Sequence, residues 1–450
     1  MAKRFDLVAI GSGAAASTVA MKCRKAGWTV AVVDSQPVGG TCALRGCDPK
    51  KVLVGVTEAL DWTERLRDKG LRSSDVRVDW PELMRFKRTF TDPVPARREK
   101  SFSRAGIEVF HGRARFVGPT AVRVGDEVLE ARYVHIGAGA KPAELPIDGS
   151  QHLTTSDQFL ELDALPPRLL LVGGGYISFE FAHVARRVGV AVTLLHRSAR
   201  PLKGFDADLV GNLVERTRRL GIEVFLSTEV RAIDRTDEGL RVHASTNGET
   251  RVFEANLVVH GGGRVPAIDD LGLEEAGVKR GKRGVEVNEF LQSVSNHSVY
   301  AAGDAAATEG APLTPVAGYE AHIVAANLLE GNHRKAEYPP IPSVVFTLPP
   351  LARVGLTEED ARRRGLRFRT HSEETSSWYS ARRIGEECSA YKVLVEEDTE
   401  RILGAHLLGP HADEAINLFT MAMNIGMKPR DIKKMIFAYP TVASDIPYML

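Results

Sequence analysis

The chain has little cysteine, no large excess of charge of either sign and no long apolar run, and each shortage excludes a class of protein. Four cysteines in 450 residues cannot staple a disulfide scaffold. A formal net charge of +1 creates no field that would recruit nucleic acid or an anionic membrane. No apolar run approaches the roughly 18 residues of a membrane span. Lys3 and Arg4 lead straight into a short apolar segment and a glycine motif, without the cleavage region of a secretory signal. The expectation is therefore a cytoplasmic protein with neither nucleic-acid nor membrane partners. The length suggests about three domains.

Two of the cysteines fall in one stretch, residues 39–51, Gly-Gly-Thr-Cys-Ala-Leu-Arg-Gly-Cys-Asp-Pro-Lys-Lys. In a reducing compartment a close pair points to redox or metal chemistry. The stretch has no histidine, and the nearest other cysteine is Cys23, so no metal site is expected. On a regular helix Cys42 and Cys47 would have Cα atoms about 8.7 Å apart, beyond the limit of about 7 Å for a disulfide. Closing the pair therefore requires a distorted turn, which Gly46 can supply. The alternative is a pair of buried structural thiols.

Residues 5–10 read as a buried strand, and Gly11-Ser12-Gly13-Ala14-Ala15-Ala16 turns it into a helix running to about Ala26. A strand over 28–33 closes on Asp34. Two glycines for the turn, a small third residue for helix packing and a carboxylate about 20 residues on make a dinucleotide fingerprint. A second copy follows: strand 169–172, then Gly173-Gly174-Gly175-Tyr176-Ile177-Ser178. Gly173 follows Gly11 by the same 162 positions that separate Gly189 from Gly27. The position matching Asp34 is His196, followed by Arg197 and Lys203. An acid there would repel a 2′-phosphate and these cations attract one, so the second site is expected to prefer NADPH.

Strands are also expected before Gly137-Ala138-Gly139, before Gly261-Gly262-Gly263-Arg264 and before Asp304, with a helix opening near Thr314. Residues 51–69 and 81–105 read as helical, and the cations Arg85, Lys87, Arg88, Arg97, Arg98 and Lys100 as a solvated face. Residues 205–259 read as alternating helix and strand. Beyond the proline-rich 338–342, strands at 343–347, 390–396 and 401–408 with long helices suggest a separate α+β domain.

Together these motifs resemble the class I flavin-dependent pyridine nucleotide-disulfide oxidoreductases, the group of glutathione reductase, dihydrolipoamide dehydrogenase and mercuric reductase, over residues 5–450. The resemblance implies an α/β fold with two Rossmann-like dinucleotide-binding domains, the NADPH domain inserted in the FAD domain, and a C-terminal α+β dimerisation domain. The expected boundaries are 1–147 and 269–336 for FAD, 148–268 for NADPH and 337–450 for the interface. It implies that FAD lies against Gly11, Gly13, Ala14, Ala15, Asp34, Gly40, Thr41, Ala138 and Gly139, with Asp304 at the ribityl chain and Thr314 at the isoalloxazine edge. NADPH would lie against Gly173, Gly175, Tyr176, Ile177, Arg197, Lys203, Gly263 and Arg264, Tyr176 covering the nicotinamide pocket. By the same resemblance Cys47 is the flavin-facing charge-transfer thiolate and Cys42 the interchange thiol, with Lys50 pairing with Glu180.

The departures concern the acceptor side. The family's C-terminal His-Pro-Thr-x-x-Glu reads here Tyr439-Pro440-Thr441-Val442-Ala443-Ser444, with Asp445 one place late. In a homodimer Tyr439 would reach the partner's active site. A phenol of pKa near 10 is a poor base at neutral pH and still a proton donor. Ala14 and Met21 stand where glutathione reductases carry a serine and an arginine, and His322 replaces a further substrate arginine; it reads as a substitute acid or base or as a surface histidine. The expected activity is electron transfer from NADPH through FAD and the Cys42–Cys47 disulfide to a small thiol disulfide, glutathione-like without being tied to glutathione. The alternatives are a mercuric-type metal or quinone reductase, although no cysteine follows Cys388, and a low-turnover redox-sensing flavoprotein.

Overall fold

The computed structural model describes residues 2–72 and 76–450. The chain forms two compact units, each built from three separated segments. The first takes Met1–Lys50, Arg85–Ala143 and Arg264–Tyr338; the second takes Lys51–Met84, Glu144–Gly263 and Pro339–Leu450.

The first unit is centred on a parallel sheet in the order Glu108–His111, Val30–Asp34, Lys3–Ile10, Glu127–Ile136, with Val299–Ala301 also pairing the last of these. Runs such as Leu7-Val8-Ala9-Ile10 and Val30-Ala31-Val32-Val33 are buried throughout, as strands covered on both faces must be. Ile10 lies in register with both Val33 and Ile136, so the strands end together and their glycine turns leave from one edge. Helix Ala14–Lys25 buries Ala15, Ala16, Val19 and Ala20, and its small side chains allow close packing against helix Thr314–Glu330. The expected strand at 28–33 begins at Val30. The helical region expected at 81–105 is two helices, Trp80–Thr91 and Val94–Ala105, because Pro93 cannot continue the first.

In the second unit a five-stranded all-parallel sheet runs Glu223–Phe225, Ala191–Leu195, Arg168–Val172, Leu257–His260, Leu153–Thr154. The expected alternation over 205–259 is instead one helix, Ala207–Arg219, a short strand and a three-stranded antiparallel sheet, Thr228–Thr236, Gly239–Thr246 and Glu249–Ala255. The C-terminal segment is a five-stranded antiparallel sheet backed by helix Ala412–Asn424. Strands Leu351–Gly355 and Phe368–Glu374 lack a clear apolar alternation and were not expected.

This unit also buries charge. Asp61 accepts from Arg187 at 2.6 Å and from Arg65 at 2.7 Å, with Arg216 at 3.7 Å. Three guanidiniums around one carboxylate offset its desolvation. Among the described residues no helix is long and apolar enough to cross a membrane.

Candidate functional site

Cys42 and Cys47 do not share a helix. Helix Gly40–Arg45 ends at Gly46 and helix Cys47–Arg65 begins immediately after it, so the spacing of a regular helix does not apply. A Cβ on Gly46 would lie 3.0 Å from the Thr41 carbonyl oxygen, which explains a glycine at the break. Both cysteines are free thiols. The Cys42 thiol is hydrogen-bonded to Cys47, and the Thr314 hydroxyl lies 3.6 Å from Cys47 Sγ.

These contacts divide the pair electrostatically. The hydrogen bond from Cys42, then the Thr314 hydroxyl and the Lys50 charge, lower Cys47 to about 6 against burial and Asp48. Its place at the head of a helix favours the anion further. The same hydrogen bond, with burial, pushes Cys42 strongly upward. In the reduced pair these contacts favour the negative charge on Cys47 and the proton on Cys42.

The first glycine turn lies against this pair. Gly11 has φ +102°, and a Cβ there would sit 2.4 Å from the Gly137 carbonyl oxygen; a Cβ on Gly40 would sit 2.3 Å from Gly13 Cα. The redox segment is thus pressed onto the phosphate turn. Ser12, buried, donates to Asp34 Oδ2 at 2.5 Å and accepts from Gly39 N–H at 2.9 Å, which fixes the orientation of the Asp34 carboxylate. Gly13 caps helix Ala14–Lys25 without a side-chain hydrogen bond, and no acid occupies the first turn. Those N–H groups form the anion cradle a pyrophosphate needs, so the residues fit a dinucleotide.

Asp304 sits on the turn after strand Val299–Ala301. Burial raises its carboxyl and Arg264 partly offsets this. Arg264 donates to the Ala140 carbonyl at 2.7 Å, beside Ala138 and Gly139, so it belongs to the same unit as Asp304. A residue the motifs did not reveal holds this turn. Glu320, wholly buried, accepts from Gly303 N–H at 2.6 Å, Thr308 at 2.7 Å and Tyr338 at 2.6 Å. Its signal in the sequence is an acid in the interior of a largely apolar helix.

The second glycine turn repeats the first. Gly173 has φ +114° and its Cβ would lie 2.4 Å from the Gly261 carbonyl oxygen; Gly175 caps helix Tyr176–Arg187 with neither a side-chain cap nor an acid in the first turn. This turn also fits a dinucleotide phosphate. Tyr176 is half-exposed at the head of the helix, followed by Ile177, whereas Glu180 is buried and accepts Phe346 N–H at 2.8 Å. His196 packs its ring over Gly174 and its Nε2 pairs with the Arg200 carbonyl at 3.1 Å. Arg197 and Lys203 lie on the loop that follows, and Gly263 ends the return segment with φ +118°.

Tyr439 is exposed and stacks on Tyr379 at a centroid distance of 6.4 Å. Ser444 is bonded back to Thr441, and Asp445 faces Ser380, its carboxyl raised by burial. Neither stands in for the glutamate of the family pattern by binding Tyr439. His322 is exposed on helix Thr314–Glu330, eight residues from Thr314 and so about 12 Å along the axis, with Lys22 and Arg334 near enough to act on it.

Residues 5–321 match the family model described as pyridine nucleotide-disulphide oxidoreductase, and residues 341–449 that of its dimerisation domain. The chain is 32% identical over 448 residues to a mercuric reductase of Staphylococcus aureus, covering 98% of this chain and 81% of that protein. It is 32% identical over 446 residues to a glutathione reductase of Burkholderia cepacia, covering 98% and 97%. The solved Cu(II) complex of the HOCl-induced flavoprotein disulfide reductase RclA from Escherichia coli is similar with a TM-score of 0.89 at 28% identity, over 100% of this chain and 99% of that one.

Proposed function

Because the chain belongs to the pyridine nucleotide-disulphide oxidoreductases, flavoproteins whose members use FAD and NAD(P)H, we propose that it carries electrons from NADPH to a small thiol disulfide through the Cys42–Cys47 pair. The observation that carries this reading is the geometry of that pair: two free thiols hydrogen-bonded to each other across the break between two helices, with Cys47 at the head of the second and the Thr314 hydroxyl 3.6 Å from its sulfur.

The first glycine turn, Asp34, Gly40, Thr41, Ala138, Gly139, Asp304 and Thr314 hold FAD; the second turn, Tyr176, Ile177, Arg197 and Lys203 hold NADPH. FAD held there would supply the hydride-accepting chemistry that links NADPH to reduction of the Cys42–Cys47 disulfide. Cys42 attacks one sulfur of the acceptor disulfide and its proton passes to the departing sulfur; that S–S bond breaks, one thiol leaves and a mixed disulfide remains on Cys42. Cys47 then attacks Cys42 Sγ, expels the other half of the acceptor as a thiolate and closes the Cys42–Cys47 bond. The sum consumes NADPH, one proton and one disulfide and yields NADP⁺ and two thiols. Tyr439, supplied by the partner in a homodimer, donates a proton to a leaving thiolate.

A second reading, a soft metal ion as acceptor, is favoured by Tyr439 in place of a histidine base and by relatives named mercuric reductase. Among the described residues there is no cluster of three or more histidine, cysteine or acidic side chains to hold such an ion, which leaves the thiol pair as its ligands. The test is NADPH consumption against small disulfides, Hg²⁺ and Cu²⁺ salts and quinones, with NADH as control and Cys42→Ser as the negative variant. Turnover on disulfides that disappears in Cys42→Ser supports the first reading; turnover on metal salts alone supports the second.

A further inference from the structure

Strand Ala191–Leu195 leads into a loop that ends where Asp206 caps helix Ala207–Arg219. This loop carries Arg197 and Lys203, the cations assigned above to a 2′-phosphate. Beside Lys203, buried Leu202 has φ +47°, a left-handed conformation that side-chain-bearing residues rarely adopt. Such a conformation persists only where the surroundings over-determine it.

Part of that constraint is local. Leu202 N–H donates to the Gly174 carbonyl at 2.9 Å, Phe205 N–H donates to the Leu202 carbonyl at 2.8 Å, and the His196 ring pairs with the Arg200 carbonyl. The rest comes from the C-terminal segment of the same unit. The Arg200 guanidinium grips both carboxylate oxygens of Glu359, the second at 2.9 Å. Arg353 lies over the Phe205 ring at 5.7 Å. Lys392, buried, reaches Asp206 at 3.0 Å, Asp208 at 2.5 Å and Glu358 at 3.1 Å, while Asp206 accepts from the N–H groups of Asp208 and Leu209.

We propose that Glu359, Arg353 and Lys392 are positioning residues for nucleotide specificity, holding the loop in the shape that presents Arg197 and Lys203 together to a 2′-phosphate. The proposal rests on the NADPH reading above. Arg200 is the third cation of the loop, and the fork pairing with Glu359 commits its donors, which makes it a strut and not a phosphate reader. Without the struts the strained backbone at Leu202 relaxes and the two reading cations separate. NADH has no 2′-phosphate, so its binding does not depend on that separation.

The test measures NADP⁺ and NAD⁺ dissociation constants by calorimetry on the FAD-loaded enzyme, for the unaltered chain, Glu359→Ala, Arg200→Ala and the double variant. Both side chains reach solvent, at 61% and 32% exposure, so the fold tolerates their loss. Each single variant should weaken NADP⁺ about fivefold and leave NAD⁺ unchanged, and the double variant should be no worse than either. Equal weakening of both nucleotides, no weakening of NADP⁺, or tighter NADP⁺ binding by Glu359→Ala would overturn the proposal. If the unaltered chain does not prefer NADP⁺, the NADPH reading is wrong and the proposal goes with it. If it does prefer NADP⁺ and the variants keep that preference, only the positioning role is lost.

Discussion

The hydroxyl of Thr314 lies 3.6 Å from the sulfur of Cys47, and each residue heads a helix: Thr314–Glu330 and Cys47–Arg65. Two helix N-termini therefore meet at one sulfur, an arrangement that favours a thiolate. In the reduced protein the Cys47 thiolate should titrate with a midpoint near pH 6, read from absorbance at 240 nm or the alkylation rate. Cys42→Ala removes the largest lowering contribution and should raise the midpoint most; Thr314→Val and Lys50→Met should raise it less. A midpoint near the ordinary thiol value of about 8.5 in the unaltered protein would contradict the assignment.

Tyr439 should matter to the acceptor and not to the nucleotide. Tyr439→Phe is expected to lower disulfide turnover by roughly a hundredfold, the scale of a lost general acid, while rapid-mixing reduction of the enzyme by NADPH keeps its rate. Tyr439→His should move the optimum for disulfide turnover toward neutral pH. Equal loss in both half-reactions would assign the tyrosine a structural role.

Gly40 leaves no room for a side chain, since its φ is +79° and a Cβ would lie 2.3 Å from Gly13 Cα. Gly40→Ala should displace the phosphate turn, and the flavin-to-protein ratio after gel filtration should drop well below that of the unaltered chain. Full flavin content would show that the two segments can separate without cost to the cofactor.

Asp61 couples stability to pH. Burial opposes its charge, but Arg187 and Arg65 more than offset that and hold its carboxyl below the usual range. Burial also lowers Arg187, although a guanidinium stays charged. A carboxyl depressed by folding stabilises above its unfolded pKa of about 3.9, and this contribution is lost as pH falls through the lower folded value. Asp61→Asn leaves buried guanidiniums without their counter-charge and should cost about 3 kcal/mol at neutral pH, with a weaker decline in acid. Urea denaturation across pH decides it, equal losses at neutral and acid pH counting against the linkage.

Met421, Ile425, Met435 and Ile436 are exposed apolar residues within the segment that matches a dimerisation domain, and Ile436 is fully solvent-accessible. Ile436→Asp should shift the particle mass toward the 49.1 kDa of one chain in light scattering and reduce disulfide turnover with it. A stable dimer carrying this substitution would place the seam elsewhere.

The parts of the fold that sequence made legible are those governed by local rules. Gly11 and Gly173 announce their turns because a Cβ at either would lie 2.4 Å from a carbonyl oxygen, that of Gly137 and that of Gly261 respectively. Gly46 likewise marked the break between Cys42 and Cys47. What stayed hidden depends on residues far apart in the chain. Glu320 looks unremarkable beside Ala321 until Gly303, Thr308 and Tyr338 are brought to it. The Arg200–Glu359 and Lys392–Asp206 pairs join positions more than 150 residues apart, and no spacing rule reaches that distance. Strand Phe368–Glu374 alternates too weakly to be told from loop, since neither face is fully buried.

The first unit is assembled from three separated stretches, and this fixes an order of events during synthesis. Residues 134–136 gain their Val299–Ala301 neighbour, and helix Ala14–Lys25 its Thr314–Glu330 cover, only after residues 144–263 have been made. Until then the nascent chain carries an open sheet edge and an uncovered alanine face, the kind of surface on which chains associate wrongly. Yield of this protein in a cell should therefore respond to translation speed and chaperone supply more than its finished stability would suggest.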